Sequence, residues 1–247
     1  MTRFIFLVLE CLLALSLPLI LPKVFAKKPG AKGFRGIWYG VCVYFLFVAV
    51  GYTAFSALVS DKISSDAAAA VIDGAVLCLL IFLGRLLWVS AFLKKAPDPA
   101  GGWLFGCGHV LPQLWLTYAL PAGVNAFFAG AIAFSIPVAV PPVFSSTVSA
   151  LQAQTGFGVF CEILQMLLMA ALEIGNAEIV YEAVRKGRKS LAAGSLLCSA
   201  AAYSALRWPG LSHTVTLPIL AAAALIVLGL AFCAYTDRAL FPKRVKK

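Results

Sequence analysis

Seven stretches of this 247-residue chain are apolar for eighteen residues or more, at 4–26, 37–59, 67–93, 101–120, 158–184, 190–207 and 214–236. Such a run matches the hydrocarbon thickness of a bilayer, which takes about 20 residues of helix. Inside lipid no water satisfies the backbone, so each segment must make its own hydrogen bonds. A helix does this. Only 12% of the residues are charged, against about 25% in soluble domains. The chain therefore reads as an all-α, polytopic membrane bundle of about seven transmembrane helices (six to eight), with residues 1–247 forming one integral membrane domain. An eighth apolar segment, 121–145, carries Pro121, Pro137, Pro141 and Pro142. Proline removes a donor and clashes with the preceding turn, so this segment is expected to be broken or re-entrant.

Basic residues set the orientation. Lys23, Lys27, Lys28, Lys32 and Arg35, then Lys94 and Lys95, then Arg185, Lys186, Arg188 and Lys189, and finally Arg238, Lys243, Arg244, Lys246 and Lys247 share one side. The other side holds Arg3, Lys62 and Arg207. Sixteen against three predicts the N-terminus outside and the C-terminus inside, with 238–247 a basic cytoplasmic tail. A full crossing by 121–145 would reverse the basic run 185–189. The sequence Val24-Phe25-Ala26 looks like a signal-peptidase site, but the basic residues follow the apolar run instead of preceding it, so the first helix is expected to stay.

The net charge of +10 sits in short loops, with no basic aromatic-interleaved helix between the spans. This points to membrane lipids as partners and excludes nucleic acid. The seven cysteines are scattered about one per apolar segment, without paired spacing, and read as small apolar packing residues.

Polar groups inside the spans are then the informative ones, because an unpaired cation in hydrocarbon costs several kcal/mol. Arg85 lies nine residues before Lys94, and His109 lies eight residues after Gly101. At 1.5 Å per residue both are roughly 12–14 Å from the same face. Around His109 the fourth span sets Gly102, Gly106, His109, Gln113 and Thr117 on one helical face, and Gly106 and Gly108 allow a close helix approach. The fifth span places Glu162, Gln165, Met169, Glu173 and Asn176 along a stripe. Glu173 or Glu178 is the expected ion-pair partner of Arg85, with Glu173 favoured. Arg85, His109 and that glutamate are expected to meet in a cavity opening towards the cytoplasmic half, with Gln113, Asn176 and Glu178 as further binding candidates. Glu182 reads as an exposed partner of Arg185 and Lys186, Asp73 as a group near the outer boundary, and His213 as a solvated loop residue. Glu10 has no evident partner. Two histidines cannot make a three-histidine zinc site.

Three short motifs stand in order: Gly84-Arg85, Gly106-Cys107-Gly108-His109, and Tyr181-Glu182-Ala183-Val184-Arg185-Lys186. With the proline and lysines after the first helix and the Lys94–Lys95 pair after the third, this layout resembles the YhfC-like family of intramembrane proteases, relatives of the type 2 CAAX prenyl proteases. The resemblance implies a protease-like bundle in a bacterial or archaeal plasma membrane. It also implies a glutamate pair just before the arginine, where this chain has Ile81 and Phe82. A glutamate is implied at or next to Gln113, and a later histidine where the register gives Glu173. The last histidine-bearing helix of the family matches residues 195–206 (SLLCSAAAYSAL), which carry neither histidine nor carboxylate.

His109 and Glu173 remain as the degenerate catalytic candidates. Water activation needs a base and zinc needs three or four donors, so no metal and no cofactor are expected. The reading that follows is a catalytically degenerate membrane scaffold that binds a membrane protein or peptide. The alternatives are an active, divergent peptidase using His109 and Glu173, and a small-solute transporter or channel.

Overall fold

The computed structural model describes residues 1–27, 35–59, 63, 65–93, 100–138, 140–208 and 211–240. Lys28, Lys32, Lys62, Lys94, Lys95 and the tail beyond 240 lie outside the described residues. The elements are α1 (Thr2–Ala26), α2 (Arg35–Val59), α3 (Asp66–Trp88, extended by a π turn Val89–Leu93), α4 (Gly101–Ala133), a short α5 (Ser145–Ala153), α6 (Gly156–Lys186), α7 (Lys189–Arg207) and α8 (His213–Leu240). No strand occurs among the described residues. This is a polytopic helical membrane protein. Large apolar side chains such as Leu12, Leu19, Trp38, Phe127, Leu225 and Phe232 face outward, as lipid requires.

Six of these helices are long and apolar enough to cross a membrane: α1, α2, α3, α4, α6 and α8. The expected seventh, α7, forms a helix of 19 residues but is less apolar, with serines at 190, 195, 199 and 204. Its polarity has a use. Ser195 and Ser199 are buried against the bundle, not turned to lipid.

The ends of α3 and α6 follow from their sequences. The Ser65 side chain accepts from the Ala68 N–H, and that of Thr155 from the Gly158 N–H, so both helices begin on a capped turn. Gly187 adopts φ +69° after Lys186, the left-handed position where a helix ends at no steric cost for glycine. The fourth span runs further than its prolines suggested. A π-helical stretch, Leu114–Ala119, separates Pro112 from Pro121, and the helix continues through Pro121 to Ala133. A widened turn re-spaces the backbone groups that proline would otherwise leave clashing. The break falls later, where Ser135 takes φ +54° and the Ile136 N–H donates to the Ala131 carbonyl, followed by Pro137 and Pro141.

Helix α6 is the axis of the bundle, and α4 and α8 pack along it. Helix α3 packs on α7, α2 crosses α4, and α1 covers the outer half of α4. The α2–α4 crossing exists because glycines meet backbone. A Cβ on Gly40 would stand 2.1 Å from the Phe105 carbonyl oxygen, and one on Gly108 would stand 2.0 Å from that of Ile37. Gly106 does the same towards α6, where a Cβ would be 2.7 Å from the Ile174 Cα. These close approaches, which the glycines flanking His109 foretold, seat the histidine at a three-helix junction.

Candidate functional site

Arg85, His109 and Glu173 come together. Arg85 Nη2, from α3, forms an ion pair with Glu173 Oε2 on α6. His109 Nε2, from α4, lies 3.6 Å from the same oxygen. The Tyr203 hydroxyl, from α7, donates to Glu173 Oε1 at 2.5 Å. Glu173 thus receives a cation on one oxygen and a phenol on the other. Each of these side chains stands on a different wall of the bundle, and Glu173 is the point they share. Gln113 lies one turn past His109 on α4, and its Oε1 has no hydrogen bond among the described residues.

A second layer fixes the first. Asn176 Nδ2 donates to Ser199 Oγ at 2.6 Å, and Ser199 Oγ donates to the Ser195 carbonyl at 2.8 Å. The Cys78 thiol lies 3.6 Å from the Leu196 carbonyl, on the same α3–α7 seam as Arg85. The Tyr44 ring meets His109 edge-on, with centroids 5.6 Å apart. Neither ring nitrogen of His109 has a hydrogen bond among the described residues.

Among the described residues no cavity opens from this cluster towards the cytoplasmic half. Arg85, His109 and Glu173 are all buried, and the space beside Arg85 and Glu173 is about 10 Å³, bounded by Cys78, Ile81, Phe82, Asn176, Leu196 and Ser199 among others. That volume holds one water at most. A substrate peptide cannot enter it. The two positions where the family resemblance implies glutamates, Ile81 and Phe82, border this same space with hydrocarbon.

Other candidates sit elsewhere. Glu178 is fully buried but belongs to the α4–α6 contact near Gly102, where an added Cβ would stand 2.3 Å from Glu178 Oε2. It is not the partner of Arg85. Glu182 pairs with Arg185 at 3.2 Å and Lys186 at 3.4 Å as expected, but its carboxylate is buried, not exposed. Asp73 pairs with Arg207 at 3.3 Å and accepts from Tyr52 at 2.5 Å. His213 opens α8, half-buried, with Gln165 Nε2 3.2 Å from its Nδ1, and so is not a free loop residue. Thr117, placed on the His109 face, is exposed.

The polar stripe of α6 therefore divides. Glu173 and Asn176 belong to the inner cluster, whereas Glu162 and Gln165 face His213. Met166 and Met169, both buried, interrupt it. No continuous polar path follows this helix. Among the described residues no three His, Cys, Asp or Glu side chains are grouped as metal ligands.

Tyr203, Ser199 and Ser195 escaped the sequence reading because residues 195–206 carry no histidine or carboxylate. A signal was present all the same. The three polar residues recur every four positions, which sets them on one face of a helix.

No family model, curated protein or solved structure matches this chain.

Proposed function

We propose that this membrane protein carries an intramembrane-protease-like bundle that has lost hydrolysis and that holds another membrane protein or peptide without cutting it. The observation that carries the non-hydrolytic half is the state of Glu173, which is shared between Arg85 and Tyr203 in a space of about 10 Å³. A general base must reach the proton it removes, directly or through one water. Here the carboxylate has both oxygens engaged, and the space beside it has no room for a water and a scissile carbonyl together. The order of the motifs at Gly84-Arg85 and Gly106–His109 supports the protease-like ancestry, and with it a bacterial or archaeal plasma membrane.

The binding half has a candidate surface. A cavity of about 790 Å³ lies between α1, the outer half of α4 and the residues Val138, Pro141 and Phe144, and is lined by Leu15, Trp115, Leu120 and Phe127 among others. Its lining suits a hydrophobic transmembrane segment.

Two measurements test the two halves. Purified protein in proteoliposomes, offered a panel of single-span substrates, should release no more product than its Glu173→Gln variant. Cleavage lost in both Glu173→Gln and His109→Ala would overturn the non-hydrolytic half. A photo-crosslinker at Phe127 in native membranes should capture a discrete membrane protein, and adducts to lipid alone would overturn the scaffold half.

A further inference from the structure

We propose that Glu10 and Glu162 form a site for a single positive charge in the outer half of the membrane, separate from the Arg85 cluster and independent of whether hydrolysis is lost. Glu10 lies eight residues past Thr2 on α1, and Glu162 six residues past Gly156 on α6. At 1.5 Å per residue they stand roughly 12 and 9 Å below the ends of their helices. Those ends share one face, because the Arg3 guanidinium on α1 donates to the Gln154 carbonyl at 3.2 Å just before α6 begins.

Glu10 is only 5% exposed, and no hydrogen bond between described residues reaches its carboxyl. Leu7 and Val159, three residues earlier on each helix, belong to one buried cluster, which sets Glu10 beside Glu162 across the α1–α6 contact, and Glu162 is the charge that acts on Glu10. The phenol of Tyr118, on α4, is near enough to both to feel their charge. Glu162 is half-buried and accepts on both oxygens from Gln154 Nε2, at 2.9 Å each, with His213 of α8 on its other side.

The cations nearby are engaged elsewhere. Arg207, on α7, is the one that reaches Tyr118 electrostatically, but its guanidinium sits 3.3 Å from Asp73 and 5.0 Å over the Tyr52 ring. Arg3 is bound to the carbonyls of Leu151, Gln152 and Gln154. His213 meets Glu162 and Gln165, not Glu10.

Two facing carboxylates at this depth cannot both stay ionised without a cation between them. Two other acids of α6 have their own donors: Glu173 has Arg85, and Glu182 has Arg185 and Lys186. Glu10 has none, and Glu162 has Gln154 and His213 but no permanent cation, so one positive charge for the pair comes from solution. Both a proton and a sodium ion satisfy that chemistry, and Glu162, half-exposed beside His213, provides the route from outside.

Infrared difference spectroscopy of the full chain in nanodiscs, in sodium-free buffer, reads the protonated-carboxyl carbonyl band directly. The wild type should show about one carboxyl more than Glu10→Gln or Glu162→Gln. If the charge is a proton alone, sodium chloride leaves that band unchanged. If sodium shares the site, the band falls on adding it in the wild type and not in the variants. A readout without variants uses a hydrophobic carbodiimide, which couples to protonated carboxyls buried in the membrane. Mass mapping should then find the label at Glu10 or Glu162. No difference band, or no label at either glutamate across the neutral pH range in sodium-free buffer, would overturn the proposal.

Discussion

Glu162 and Glu173 stand on the same helix, eleven residues and roughly 16 Å apart, and they have opposite surroundings. Glu173 is sealed, with Arg85 on one oxygen, Tyr203 on the other and His109 3.6 Å away. Glu162 is half-buried, held by a neutral amide, and faces the acid Glu10. The inner cluster contains the residues that a protease-like layout would use, yet its charges cancel within the chain. The outer cluster matches no catalytic motif, yet its charge does not cancel. What marks a site inside a membrane is thus the residual imbalance of charge, more than the presence of polar residues.

The comparison breaks first at Arg85. Arg85→Met strands the Glu173 carboxylate in the core and should cost about 3–5 kcal/mol, read as a lowered thermal midpoint in nanodiscs. An unchanged midpoint would mean that the pair carries no weight in the fold. Next is the crossing that seats His109. In Gly40→Ala the new Cβ would meet the Phe105 carbonyl at 2.1 Å. Overpacking of this kind costs about 3 kcal/mol at the upper end of its range, measurable by denaturant titration. Tyr203→Phe removes one hydrogen bond to a charged acceptor, and a loss of about 2 kcal/mol is expected on the same assay. The smallest effect belongs to the outer cluster. Glu10→Gln relieves a like-charge contact, so stability should hold or rise. A clear loss there would show that Glu10 has a structural partner and would erase the contrast.

Much of this was readable from residues. Six of the seven spans, and the meeting of Arg85 with His109 and Glu173, follow from run length, helical rise and the cost of an unpaired cation. Glycine spacing around His109 foretold the close crossing. What the sequence concealed depended on rotation and lateral neighbours. Nothing local says that Glu10 turns towards Glu162, since α1 and α6 are separated by more than a hundred residues. Pro121 looked like a break because the π stretch before it leaves no composition signal. The sealing of the inner cluster was equally hidden. It depends on Tyr203 and Ser199 of a helix whose residues looked chemically empty, and on Ile81 and Phe82 filling the space beside it.

A double-mutant cycle on Arg85→Met and Glu173→Gln, followed by thermal unfolding in lipid nanodiscs, tests the sealed ion pair most directly. Each single change leaves one uncompensated charge in the core, whereas the double change leaves none and keeps an acceptor for Tyr203. The account predicts that each single variant loses about 3–5 kcal/mol and that the double variant recovers at least half of the summed loss. Losses that simply add would contradict it, because the two residues would then not be each other's partners.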